Sequence, residues 1–270
     1  MTSINWILQT NLVKPELLAA IRKALEMDNI TYQEVKIVPF SHILPAFPRK
    51  NVLPVFYGSE TLIKNAYRDK TLARGVFYDH RTFNIENYMH HWGTRMLNHD
   101  SIITTFPAFA TRLYDEDSEW FLRPNDDSKA FSGRVMRFSD IQKLAAELND
   151  LDNPALSGET RIVVSSPKSI VKEWRHFIVN GKVIDTCRYA CFGEPDADRN
   201  DVPEQLLRFV EETCAIYSPH DIFVMDTALC NGVYTIVECN CFNGTGFYDH
   251  DVVKIIRAVN AYLAKRPTMA

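Results

Sequence analysis

Two apolar runs, FVMDTALC and VYTIVECNCF, joined by Asn231 and Gly232, constrain this chain more than any other stretch of it. They read as the two strands of a buried hairpin, yet they carry Asp226, Glu238 and Asn240. Side chains alternate along a strand, so Glu238 and Asn240 face one side while Val237, Cys239 and Cys241 face the other. Cross-strand neighbours on one face approach within ~5 Å. Asp226 on the first strand can therefore join the other two.

A single acid in such a place is most simply a turn cap or half of an edge ion pair. An Asp on one strand with Glu-x-Asn on the next is instead a set of three oxygen donors. Oxygen-only ligands of this kind suit Mg²⁺, a hard ion that keeps waters and completes its shell with substrate phosphates. The pattern asks for a nucleotide.

The 270 residues, 46% hydrophobic and 24% charged, suffice for one large core or two to three smaller lobes. A formal charge of −4 gives no general attraction to nucleic acid or to an anionic membrane. MTSINWILQT lacks the basic and apolar regions of a signal peptide, and no run reaches the ~18 apolar residues of a membrane span. A cytoplasmic protein with neither nucleic-acid nor membrane partner is expected, its oligomeric state left open. The six cysteines lack the density of a disulfide scaffold, and CNC and CRYAC lack the CxxC spacing of a zinc knuckle. Reduced core thiols are expected.

Along the chain, NWILQT, TYQEVKIVPF and VLPVFYGS read as strands. KPELLAAIRKALEMDN places Leu17, Ile21 and Leu25 on one helical face, and IENYMHHWGTRML does the same through Ile85, Tyr88, Met89, Trp92 and Met96. Residues 1–100 thus form an α/β domain. Residues 101–160 add the strand Trp120–Leu122, a polar NDDSK loop and a helix whose capping box is Ser139 with Gln142. Residues 161–270 are mostly antiparallel sheet with helices, including a hairpin at Asn180 and Gly181 and a last helix through Val252, Ile255, Ile256 and Val259. His90 and His91 read as ordinary helix residues. His250 either touches an acceptor or caps the last helix.

With these residues in order, the chain resembles the ATP-grasp superfamily over residues 101 to 265. Asp226, Glu238 and Asn240 followed by NGTGFYDHD look like its metal-binding end. FLRPNDDSKAFSG is similar to its strand and phosphate loop, VVSSPKSI to its adenine hinge, and EWRHFIVNGKVIDTCRY to its arginine-bearing strand pair. The resemblance implies an α+β fold in which two lobes clasp ATP, preceded by a small α/β domain. It differs in having Arg123 where most members have lysine, and guanidinium contacts phosphate too. The loop has one glycine, Gly133.

By this resemblance Arg123 and Lys129 hold phosphates, Val164 and Ser165 lie at the adenine, and Asp226, Glu238 and Asn240 hold Mg²⁺. Arg175 and Arg188 would hold a carboxylate and the acyl phosphate made from it, because a carboxylate approaches ATP only with a cation between the two anions. Glu173 either accepts from ribose hydroxyls or pairs with one of these arginines. The implied activity is an ATP-dependent carboxylate–amine ligase acting on a small-molecule or peptide acid and an amine, releasing ADP and phosphate. The alternative is an ATP-binding module without ligation, acting through a partner.

Overall fold

The computed structural model describes residues 3–39, 41–47, 52–126, 130–148 and 156–265. Three sheets organise them. The first is parallel, with β1 (Ser3–Gln9), β2 (Thr31–Val35) and β3 (Val52–Tyr57) in the order β2-β1-β3. Parallel neighbours need a crossover, and α1 (Pro15–Met27) supplies it between β1 and β2, burying Leu18, Ile21, Ala24 and Leu25. Pro15 opens α1, where its absent N–H would have had no helical partner.

After β3 comes α2 (Glu60–Arg68), with Ser59 as N-cap, and then α3 (Ile85–Trp92), capped by Asn84. The apolar spacing of α3 continues in sequence to Met96, but the helix stops at Trp92 because Gly93 turns to φ +51°. Met96 is buried beyond the helix, beside Ile236.

The second sheet is antiparallel, with β4 (Ile102–Thr105), β5 (Glu119–Pro124), β6 (Arg134–Arg137) and β7 (Arg161–Ser165) in the order β4-β7-β5-β6. Helices α4 (Phe106–Ala110) and α5 (Phe138–Leu148) share its core through Phe106, Phe109, Leu122, Phe138 and Val164. Two expectations change here. β7 pairs with β4 and β5, so this lobe runs to Ser165 and past the break expected at 160. The helix begins at Phe138, before the expected cap at Ser139. The N–H groups of Phe138 and Ser139 donate to Ser118 O and Glu116 O at 2.8 and 3.0 Å, so main-chain acceptors do the work of a capping box.

The third sheet holds β8 (Ile170–Val179), β9 (Lys182–Cys191), β10 (Glu194–Asp198), β11 (Ile222–Cys230) and β12 (Val233–Asn240) in the order β10-β9-β8-β11-β12, antiparallel throughout. Asn180-Gly181 and Asn231-Gly232 make its two tight turns with φ of +51°, +71°, +52° and +77°, the mirror-image geometry that matches strand twist. On one face, α6 (Glu204–Ile216) and α3 pack over Trp174, Ile178, Phe223 and Met225. On the other lies α7 (Val252–Lys265), whose Ile255, Ile256, Val259 and Leu263 join one core with Trp6, Leu18, Ile21 and Leu25. Each such apolar side chain contributes roughly 1.5–3 kcal/mol when fully buried. Trp6 Nε1 adds a 3.0 Å hydrogen bond to Asn260 Oδ1. The first and third sheets are thus joined through the last helix. All six cysteines are free thiols, five of them buried. Among the described residues no helix is long and apolar enough to cross a membrane.

Candidate active site

Asp226 lies in register with Arg175 on one side and Glu238 on the other. Arg175 Nε and Nη2 donate to Asp226 Oδ1 and Oδ2 at 2.8 and 2.6 Å, and its Nη1 donates to Gly246 O at 3.1 Å. Asn240 Nδ2 donates to Asp226 Oδ2 and to Glu238 Oε1, both at 3.1 Å. Glu238 also accepts from Arg123, which reaches across from β5. Two acids, two arginines and an amide therefore form one network spanning the second and third sheets.

The strand geometry departs from simple alternation at two places. Asp226 pairs with Glu238 but Thr227 pairs with Ile236, so Val237 is the extra residue of a bulge. It lines the cleft beside Glu238 instead of joining Cys239 in the core. On β9 the pairing jumps from Ala190 to Arg188 against Glu173 and Trp174, leaving Tyr189 as the extra residue. Arg188 consequently shares the face of Trp174, away from Asp226, and is bound by Asp196 and Asp201. Tyr189 takes the place at the site expected of Arg188. Its hydroxyl donates to Glu173 Oε2 at 2.9 Å, and its ring stacks on Tyr248 with centroids 5.0 Å apart. The Arg175 guanidinium lies 4.9 Å from the Tyr248 centroid, a cation–π distance.

Charge and burial oppose each other here. Burial pushes the Arg175 pKa down, but the charge and hydrogen bonds of Asp226 outweigh it and hold it above the ordinary value. Burial lifts Asp226 above the usual carboxylate range, with Arg175 offsetting part of the rise. Burial would lift Glu238 as well, but Arg123 and the Asn240 hydrogen bond hold it below its ordinary value. Glu173 is raised by burial, and the charges of Asp226 and Glu238 add to this against the Tyr189 hydrogen bond.

Between the two sheets opens a cleft of about 400 Å³, lined by Arg123, Phe131, Gly133, Glu173, Tyr189 and Glu238 among others. Gly133 presses on Phe121, where an added Cβ would lie 2.9 Å from the ring, so the loop between β5 and β6 lies directly over β5. Arg123 Nε is buried with no hydrogen-bond partner among the described residues, a donor aimed at an anion. Lys129 lies outside the described residues. Val164 is fully buried in the second lobe, and Ser165 Oγ donates to Asn98 Oδ1 at 3.0 Å. Both stand at the end of β7, just before residues 166–169 lead into β8, with their side chains engaged by protein.

His250 is not the helix cap, since Asp251 Oδ1 accepts from Lys254 N at 2.9 Å at the start of α7. The His250 ring sits between Phe247 O at 2.5 Å and Arg175 O at 3.1 Å, behind the ion pair. His91 stacks on Tyr217 with centroids 3.9 Å apart. One residue without a sequence expectation holds the site to the first lobe. Asn243, fully buried, donates to Phe56 O and Gly75 O at 2.6 and 2.9 Å and accepts from Phe77 N at 2.7 Å. Tyr57 adds a 2.6 Å bond from its hydroxyl to Thr245 O. The only sequence signal for Asn243 is an amide directly after an apolar strand.

Two carboxylates and an amide at one point fit a magnesium ion in donor chemistry. Each carboxylate oxygen accepts more than one bond, so the arginine contacts leave lone pairs for a metal. Asn240 turns its nitrogen to the acids, and it would present its oxygen to a metal by rotating the amide. No group of three or more His, Cys, Asp or Glu residues is placed to hold a metal among the described residues, so the amide is a necessary member of the set.

Two α+β lobes closing on an acidic, arginine-bridged cleft have the ATP-grasp fold. Within that class the chain belongs to an ATP-grasp domain family, the third of its clade, whose family model matches residues 60–259. It is similar in structure to D-cycloserine synthetase DcsG, with a TM-score of 0.67 and 12% identity over 97% of this chain and 100% of that one. It is also similar to a RimK domain ATP-grasp protein from Sphaerobacter thermophilus DSM 20745, with a TM-score of 0.62 and 12% identity over 94% and 98% of the two chains. D-alanine–D-alanine ligase from Bacillus anthracis in complex with ATP aligns with a TM-score of 0.57 and 13% identity over 98% of each chain. No curated protein sequence matches the chain.

Proposed function

We propose that the protein is an ATP-dependent carboxylate–amine ligase that forms an amide or peptide bond and releases ADP and phosphate. The observation that carries this reading is the pair Arg123–Glu238, which joins the two lobes across the cleft at the point where Asp226 and Asn240 converge. A cation from one lobe and a carboxylate cluster from the other are what a bound nucleoside triphosphate requires at its phosphates.

In this reading a carboxylate oxygen attacks the γ-phosphorus of ATP, the bond from that phosphorus to the β–γ bridging oxygen breaks, and ADP leaves. The amine nitrogen then attacks the acyl carbon, the carbon–oxygen bond to phosphate breaks, phosphate leaves, and the nitrogen gives up its proton. Phosphoryl transfer of this kind depends on positioning and charge compensation. Arg123 exchanges Glu238 for phosphate oxygens, its Nε finding the acceptor it lacks, and Lys129 joins it from the loop. Mg²⁺ held by Asp226, Glu238 and Asn240 would screen the phosphate charge. Arg175 fixes Asp226 and the Gly246 carbonyl, with His250 behind it, and so positions the cluster. Glu173 lies where it accepts from ribose hydroxyls, and the chain beyond Val164 and Ser165 passes the base. The reaction and its nucleotide suit the cytoplasm.

The test is ADP release by the purified protein with Mg-ATP and mixed acids and amines, with mass spectrometry for a condensed product. ADP release that depends on both substrates supports the ligase. ATP binding without turnover under every combination favours the module.

A further inference from the structure

Resting on the ligase reading, we propose that the cavity under α2 is the seat of the carboxylate substrate, and that this substrate is an acid of amino-acid size with an aromatic or branched apolar side chain. The cavity measures about 270 Å³, below the roughly 300–1,000 Å³ of sites for drug-sized ligands. One wall is the stripe Glu60, Ile63, Lys64 and Tyr67 of α2, spaced so that all four lie on one helix face. Tyr78 closes the back, its ring set edge-on to Tyr67 with centroids 5.5 Å apart. The facing wall is the loop after β12, which can lie so close because Gly244 has no Cβ. One built there would stand 2.8 Å from Ile63 Cδ1.

Position decides which end of the occupant reacts. The cavity and the nucleotide cleft share Asp126 and Asn240 as lining, so they meet at the acidic cluster. The end of a ligand that reaches Asn240 faces the terminal phosphate, and the group that attacks there is the carboxylate. The other end lies among Ile63, Tyr67 and Tyr78, a surface for an apolar or aromatic group. The Glu60–Lys64 pair, 2.5 Å apart and half-exposed, stands at the rim, where its carboxylate suits an α-amino group.

The experiment uses the full chain loaded with Mg²⁺ and a nonhydrolysable ATP analogue, titrated calorimetrically with L-phenylalanine, L-leucine, glycine and L-aspartate. The same acids are assayed for ADP release with mixed amines. Ile63→Phe fills the cavity, and Tyr67→Leu, at a half-buried position, removes its aromatic edge with little demand on the fold. L-Phenylalanine or L-leucine is expected to bind best, with affinity or KM worsened about tenfold or more, ~1.4 kcal/mol, in at least one variant and analogue affinity unchanged. Preference for glycine or aspartate, or an acid KM unchanged in both variants while ADP release persists, overturns the cavity and leaves the ligase standing. Binding of L-phenylalanine that Ile63→Phe abolishes, with no ADP release from any acid, supports the cavity's apolar occupant and sinks the ligase reading.

Discussion

Arg175 and Asp226 face each other directly on β8 and β11, joined by two parallel hydrogen bonds of 2.8 and 2.6 Å with both side chains buried. Breaking such a pair from one side leaves a buried charge alone and costs about 3–5 kcal/mol. Arg175→Met should therefore lower the urea midpoint by that amount. Adding Asp226→Leu should restore part of the loss and none of the activity. A single variant of wild-type stability would show that the pair does not hold the sheet.

Glu238→Gln keeps the shape of the side chain and removes its charge. Loss of a metal ligand should slow ADP release by ~10³-fold or more, several kcal/mol in the transition state. Circular dichroism should be unchanged. Near wild-type turnover would remove Glu238 from the site.

Arg123 tests the phosphate clamp. Arg123→Lys keeps a point charge and should retain partial affinity for a nonhydrolysable ATP analogue, whereas Arg123→Ala should lose it. Calorimetry measures the gap between them, which is the contribution of the planar guanidinium. Equal binding by alanine and arginine would displace the nucleotide from this cleft.

For Arg188 the position predicts a stability effect without a chemical one. Its partners Asp196 and Asp201 lie on the other face of the sheet from Asp226, so Arg188→Ala should cost about 1–3 kcal/mol of stability, the scale of a charged hydrogen bond. ADP release at saturating substrate should stay within about twofold of wild type, well under 1 kcal/mol. A hundredfold loss of rate in a fully stable variant would place Arg188 in the chemistry after all.

His176 should set the acid limit of the fold. Its ring is fully buried between Thr186 Oγ1 at 2.9 Å and Thr227 Oγ1 at 2.8 Å, and burial lowers its pKa from 6.5 to about 3, with His250 adding to the shift. The unfolded chain binds a proton below 6.5 that the folded chain refuses until about 3. The stabilisation is thus complete above 6.5 and is lost as pH falls from there toward 3, at ~1.4 kcal/mol per pH unit. Urea midpoints measured from pH 7 to pH 4 should fall less steeply in His176→Gln than in the wild type.

The acidic hairpin was legible because Asp226, Glu238 and Asn240 are polar residues on strands that otherwise read as core, and their spacing put all three on one face. Tyr189 and Val237 were not legible. Each is an extra residue that shifts alternation by one, and neither carries a side-chain signature of a bulge. That single shift exchanged Arg188 for Tyr189 at the site. Helix α2 was missed for a different reason. Its nine residues are split between a core face and a polar stripe that lines a cavity. The lobe of β7 depended on which strands it pairs with, and that partner choice lies outside local pattern. Asn243 reads as one more polar loop residue until the carbonyls of Phe56 and Gly75 are seen beside it.

The packing of α7 against α1 and β1 bears on how the chain is made. Synthesis runs from the N-terminus, so Trp6, Leu18, Ile21 and Leu25 leave the ribosome more than two hundred residues before Ile255, Ile256, Val259 and Leu263. Throughout that interval the first sheet lacks its principal cover and presents the kind of apolar surface that chaperones bind. The fold closes only when its last helix arrives, and a chain stopped anywhere before that point leaves the first lobe open as a mark for degradation.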